Sequence, residues 1–174
     1  MKQRSLFPLS CSSKWAFVAL ALLAASNIPQ HKFVIWNASA SMAKGLYIVI
    51  PQAHVRRGHI AAYQPPPKLA AWMAKRGYLP EGYPLLKHVD SKPGNRFCRS
   101  GSIISYRAQP LAIAQSHDRF GRGLPVWQGC RTVGNDEIFL LSSSKASLDS
   151  RYFGPLPASG LLGRAYPLWT YESD

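Results

Sequence analysis

With 174 residues, 47% of them hydrophobic and 17% charged, the chain is long enough for one domain with a real core and too apolar for disorder. Its formal net charge of +13 favours acidic partners, anionic lipid headgroups or nucleic acid. The positive residues are scattered rather than massed in a block, so solubility and membrane proximity explain them better than DNA or RNA reading, and no nucleic-acid partner is expected.

Residues 1–14 form a basic leader without an acidic residue, and residues 15–25 are uninterruptedly apolar. At roughly 1.5 Å per residue that run spans about 16 Å, short of the ~30 Å hydrocarbon core and typical of a signal-peptide h-region. Ala24, Ala25 and Ser26 supply the small residues of a cleavage site. A short anchor is the alternative, if residues 6–9 join the span and Lys14 snorkels. The expected organisation is a signal peptide or short membrane anchor over 1–28 and an exported periplasmic domain over 29–174. Cys11 lies in the leader. Export permits a disulfide between Cys98 and Cys130, which would contribute about 3–4 kcal/mol on the chain-entropy model; two free buried thiols are the alternative. No Cys-x-x-Cys or His-x-x-x-His spacing occurs, so neither a metal nor a cofactor is expected.

Two apolar runs, 33–36 and 46–50, read as buried strands, with Ser39 and Ser41 in the stretch between them. A serine held between core strands sits on rigid backbone, which suits a nucleophile; a polar turn is the plainer reading. A strand over 58–63 ends at Pro65-Pro66-Pro67, where a helix begins. Leu69, Trp72 and Met73 give that helix one apolar face, and Gly77 suits the position just past its end. A strand over 83–89 precedes a turn with Pro93-Gly94. Short strands are expected over 96–99, 101–106, 111–115 and 137–141, with the Gly-rich stretch 121–134 irregular. The pattern is mainly β, with few helices.

On its strand, Lys87 shares a face with Leu85 and Val89, which makes it a candidate for burial. Burial matters because lysine serves as a base only when neutral, and desolvation lowers its pKa from about 10.4. An exposed edge-strand lysine is the competing reading. His31, His54, His59, His88 and His117 invite a Ser-His-Asp alternative, but none stands in a recognisable triad context.

Three stretches then combine in order: Ser39-Ala40-Ser41-Met42, Leu85-Leu86-Lys87-His88-Val89-Asp90 through Pro93-Gly94-Asn95, and Ser147-Leu148-Asp149-Ser150-Arg151. Together they resemble the conserved segments of the signal peptidase I clan of serine-lysine peptidases. The nearer resemblance is to the conjugative-transfer branch, the TraF-type peptidases that mature pilin subunits. Gly45-Leu46-Tyr47, Arg76-Gly77-Tyr78-Leu79, Phe139-Leu140-Leu141-Ser142 and Pro167-Leu168-Trp169-Thr170 look like that branch. The resemblance implies a signal-peptidase-like antiparallel β-sheet catalytic domain, with an N-terminal hydrophobic helix and one short helix. It implies Ser41 as nucleophile, Lys87 as general base, and Ser39 with the Ser41 N–H as oxyanion hole. Ser147 matches the residue that orients the lysine. Asp149 and Arg151 match a supporting charged pair whose aspartate is treated as catalytic in that branch; a purely structural salt bridge is the alternative. Three departures stand out: Ala43 replaces a proline, Asn95 replaces an aspartate, and residues 142–145 replace a Gly-Asp-Asn-Arg run.

The implied function is a serine endopeptidase that processes a conjugative pilin precursor, with hydrolysis or cyclisation both open. The implied partners are the pilin precursor, the inner membrane surface and other conjugative transfer proteins. A general leader peptidase and a non-catalytic pilus-assembly protein on the same fold are the rivals.

Overall fold

In the computed structural model, residues 34–51 and 55–171 are described. The expected leader or anchor over 1–28, Cys11, His31 and His54 lie outside the described residues. No helix among the described residues is long and apolar enough to cross a membrane.

The domain begins with a hairpin. Strand β1 (Val34–Asn37) alternates exposed and buried positions, and β2 (Lys44–Ile50) buries Gly45, Tyr47 and Val49. Trp36 faces Leu46 and Asn37 faces Gly45, so residues 38–43 form the connecting loop that carries both candidate serines. Strands β3 (Ile60–Tyr63) and β4 (Leu85–Val89) pair antiparallel, with Ala61 opposite Lys87. Between them lies helix α1 (Pro67–Lys75). Its first turn tolerates Pro67 because that N–H has no partner inside a helix. It ends at Gly77, whose φ of 69° places it in the left-handed region. There Gly77 N–H donates to Ala74 O and Tyr78 N–H to Met73 O, which satisfies the last carbonyls.

Strands β5 (Arg96–Ser100), β6 (Ile103–Tyr106), β7 (Gln109–Ile113) and β8 (Gly129–Thr132) form a four-stranded sheet in the order β7-β6-β5-β8. Two short strands, β9 (Glu137–Ile138) and β10 (Leu140–Leu141), follow. Helix α2 (Ser150–Phe153), strand β11 (Leu156–Pro157), a 3-10 turn at Ala158–Gly160 and strand β12 (Leu161–Tyr171) complete the chain. The main sheet runs β1-β2-β12-β3-β4-β10, and β11 pairs with β9.

The mainly antiparallel β architecture agrees with expectation, while four details differ. The run 137–141 is two strands: Phe139 turns out of register, giving its N–H to Ser91 Oγ and taking Asp90 N–H on its carbonyl. The Gly-rich stretch 121–134 contains β8, which pairs with β5 and sets Cys130 opposite Cys98, where the two form a disulfide. Where one short helix was expected beyond the leader, the described residues hold two, α1 and α2. Strand β12 was not anticipated at all, yet it lies between β2 and β3 in the main sheet. Pro167 and Gly163 break its alternation, and the strand tolerates them because its pairing shifts register beside each. Gly45 must be glycine here: its φ is 138°, and a Cβ would stand 2.1 Å from Trp169 O across the β2–β12 pair.

One core gathers Ala61, Tyr63, Met73, Leu85, Val89 and Leu140, joining α1 to β3, β4 and β10. A second packs Phe97, Ile104, Val133, Phe139 and Leu141, with the Phe97 and Phe139 rings stacked at 3.9 Å. Strand β4 and the segment around β10 therefore meet apolar packing from several sides, where a charged side chain is most strongly desolvated.

Candidate active site

Lys87 sits in the middle of β4 with 3% of its surface exposed. Its neighbours on the same strand face, Leu85 and Val89, are buried core residues, as is Ala61 across the pair. The amine reaches the loop between β1 and β2, where Lys87 Nζ lies 2.6 Å from Ser41 Oγ. Burial pulls the Lys87 pKa down to about 8; the Asp149 charge opposes that and the Arg151 charge adds to it. Roughly a tenth of the amine is then neutral at pH 7, far more than for a lysine in solvent, and it is in contact with a hydroxyl.

Ser41 Oγ is also 2.9 Å from Ser39 Oγ. The loop that holds both is braced from three directions. Asn37, the last residue of β1, binds the loop through its carboxamide. Tyr47 OH donates to Ala43 O at 2.7 Å. Ser142 Oγ donates to Ser41 O from the other end of the sequence.

The Asp149–Arg151 pair is buried, with Arg151 Nε 2.8 Å from Asp149 Oδ1. Asp149 caps α2 by accepting Arg151 N–H. Its other oxygen accepts Ser142 N–H at 3.0 Å, while Arg151 Nη2 donates to Ser142 O at 2.6 Å. Arg99 donates to Arg151 O at 2.9 Å, which ties the four-stranded sheet to the same knot. The pair thus grips both backbone polar groups of Ser142, whose hydroxyl holds the loop that carries Ser41. The hydrogen bonds of Asp149 go to Arg151 and Ser142 rather than to Lys87 or Ser41, so its influence on the amine is through charge and through position.

Ser147 is 1% exposed, and its hydroxyl has no hydrogen-bond partner. It lines the same cleft as Ser39, Ser41 and Lys87, a cavity of about 590 Å³. A buried hydroxyl without a partner is costly in a scaffold. Met73, Leu79 and Leu124 give the cleft apolar walls. Another wall is a hairpin tip closed by a bridge between His117 and Gly123. Asp118 organises that tip, accepting from the N–H groups of Phe120 and Arg122, from Arg122 Nε and from Tyr78 OH. Burial pushes the Asp118 carboxyl up, but these donors outweigh it and hold it well below the usual carboxylate range.

Among the described histidines, His88 lies half-buried with Nδ1 3.4 Å from Gly58 O. His59 accepts Arg56 N–H, and His117 pairs with the adjacent, exposed Ser116. Ser142, Asn37 and the Asp118 tip were not singled out from sequence. Asn37 carried a faint signal, an Asx residue opening a loop. Ser142 entered only as the end of the family-like segment 139–142 and was given no role, because its contact spans 101 positions.

The family model described as "Signal peptidase, peptidase S26" matches residues 11–169. The chain is 38% identical over 109 residues to a protein of Agrobacterium fabrum named conjugal transfer protein TraF, covering 59% of this chain and 60% of that one. It is 31% identical over 146 residues to an Escherichia coli protein named plasmid transfer protein TraF, covering 78% of this chain and 75% of that one. The match thus spans only about three fifths of the Agrobacterium relative's length. A solved signal peptidase I of Enterococcus faecalis aligns at 18% identity with a TM-score of 0.39, covering 66% of this chain and 98% of that one.

Proposed function

The chain belongs to the signal peptidase family, peptidase S26, with TraF conjugal transfer proteins among its relatives, and on that premise we propose that it is a serine endopeptidase working through Ser41 and Lys87. The observation that carries the proposal is the 2.6 Å contact between a buried, pKa-lowered amine and a loop hydroxyl. Neutral Lys87 takes the Ser41 proton as Oγ attacks a peptide carbonyl, and an acyl-enzyme forms when the protonated amine gives that proton to the departing chain. The Ser41 N–H and the Ser39 hydroxyl receive the oxyanion, where one such donor typically contributes about 2.7–4 kcal/mol. Ser147, unpartnered in the same cleft, orients the amine when substrate closes the site. Asp149 and Arg151 are positioning residues that act through Ser142.

The substrate is the precursor of a conjugative pilin, bound as an added strand along the cleft. The acyl-enzyme is resolved by water, or by the pilin's own amine to give a ring, which requires both ends of one chain to be held together. The work is done at the periplasmic face of the inner membrane, beside other conjugative transfer proteins. A non-catalytic assembly role on the same fold is disfavoured by Lys87, since a buried amine facing a hydroxyl lowers stability and serves no packing purpose. In cells expressing the pilin precursor, Ser41→Ala and Lys87→Arg are expected to fold and to leave the precursor uncut, guanidinium being no base near neutral pH. Normal processing by either variant would remove that residue from the mechanism.

A further inference from the structure

Asn37 is buried at the end of β1, and its surroundings admit one orientation of its carboxamide. Nδ2 lies 3.1, 3.1 and 3.0 Å from the carbonyl oxygens of Ser39, Met42 and Ala43. Oδ1 lies 3.1 Å from Ser39 N and 2.9 Å from Ser39 Oγ. Flipping the group would set an oxygen against three carbonyls and a donor against an N–H. Oδ1 is an acceptor only, so the Ser39 hydroxyl must donate to it.

Ser39 has one hydroxyl proton. With that proton on Asn37, Ser39 Oγ meets Ser41 Oγ as an acceptor. At rest, with Lys87 charged, a relay of donors runs from Lys87 to Ser41 to Ser39 to Asn37. When Lys87 loses its proton, the Ser41 hydroxyl turns to Nζ and the Ser39 oxygen loses its donor. The proton that the oxyanion needs from Ser39 is still parked on Asn37.

We propose that Asn37 is the positioning residue of the oxyanion hole: it fixes the Ser39 oxygen beside the nucleophile and holds its proton until the oxyanion develops. Only the hydrogen then moves, by rotation about the Cβ–Oγ bond, while the oxygen stays where the carboxamide and the Ser39 N–H contact put it. No bond between heavy atoms changes in this step. The inference rests on the Ser41–Lys87 reading and adds to it that the hole is completed during the reaction rather than standing open beforehand.

The test is a double-mutant cycle on the full chain. It uses an internally quenched peptide with alanine at the first and third positions before the scissile bond. Ser39→Ala is expected to lower kcat about a hundredfold, and Asn37→Ala about tenfold, with KM nearly unchanged in both. In the double variant the Asn37 effect disappears, leaving kcat within about threefold of Ser39→Ala alone. Tyr47→Phe removes another brace of the same loop without touching Ser39, so any loss it causes is expected to add to that of Ser39→Ala rather than disappear in the double variant. Should Asn37→Ala not fold by thermal unfolding, Asn37→Gln keeps a carboxamide but displaces it by one methylene, and it enters the same cycle with the same expected non-additivity. Additive losses for Asn37 and Ser39, a loss confined to KM, or a Tyr47→Phe loss that also disappears in the Ser39→Ala background would overturn the inference. Ser41→Ala separates the two levels. Its complete loss of turnover keeps the dyad whatever Asn37 does, and its retained turnover would overturn the dyad and this inference together.

Discussion

Lys87 shows what burial does to a single ionisable group. The same amine in solvent would hold its proton far above neutral pH; here desolvation lowers its pKa to about 8. Thermodynamic linkage makes this a statement about stability. Between pH 8 and about 10.5 the unfolded chain binds a proton at this lysine that the folded chain has lost. Stability due to Lys87 therefore rises with pH across that window and is lowest below it. Lys87→Met removes the effect, so at pH 7 the variant is expected to be more stable than the parent. Its advantage, on the order of 3 kcal/mol, should shrink toward pH 10. Urea unfolding of both proteins at several pH values measures the difference, and a constant gap would mean the amine is not desolvated as described. The candidate lysine was legible in sequence, because Leu85 and Val89 flank it on its own strand face. The hydroxyl it meets was legible only by resemblance, since no local pattern ties residue 41 to residue 87.

On the proposed mechanism, the elements divide between those that carry chemistry and those that hold it still. Strand β4 and the β1–β2 loop supply the amine and the hydroxyls; α2 and the start of the loop after β10 fix them. The joint is Ser142, whose backbone is gripped by Asp149 and Arg151 and whose hydroxyl grips Ser41 O. Side chain and backbone therefore have separable effects. Ser142→Ala keeps the backbone contacts, so its stability should change by about 1 kcal/mol while kcat falls about tenfold. Asp149→Asn leaves Arg151 buried without its counter-charge and should lose about 3–5 kcal/mol. Denaturant unfolding beside peptide turnover distinguishes the two, and equal stability losses would contradict the division of labour. Strands with clear alternation or turn punctuation, such as β2 and β4, were legible from sequence. Strand β12 was not, because Gly163 and Pro167 read as breakers until β2 and β3 are seen to supply partners on both sides. Strand β8 hid in the same way behind the Gly-rich stretch that contains it.

At the scale of the whole described domain, the four-stranded sheet is tied to the residue between β9 and β10 through Phe97 on Phe139, and to α2 through Arg99 on Arg151. Within the four-stranded sheet, the Cys98–Cys130 bridge pins β8 to β5. A bridge between residues 32 positions apart should contribute about 3–4 kcal/mol, so Cys98→Ser with Cys130→Ser is expected to lower unfolding free energy by that amount. The unreduced exported protein should show no reaction at Cys98 or Cys130 with a thiol reagent after unfolding. Labelling of both would contradict the bridge. A disulfide also fits the periplasmic location proposed for the domain.

The pH dependence of kcat/KM on the quenched peptide tests the account at its centre, because it reads the protonation of the base in the free enzyme. Turnover should climb tenfold per pH unit below the inflection and level off above about 8, the value for buried Lys87. An inflection near the ordinary histidine value of about 6.5, or a profile flat from pH 6 to 9, would show that this lysine is not the group that takes the proton from Ser41.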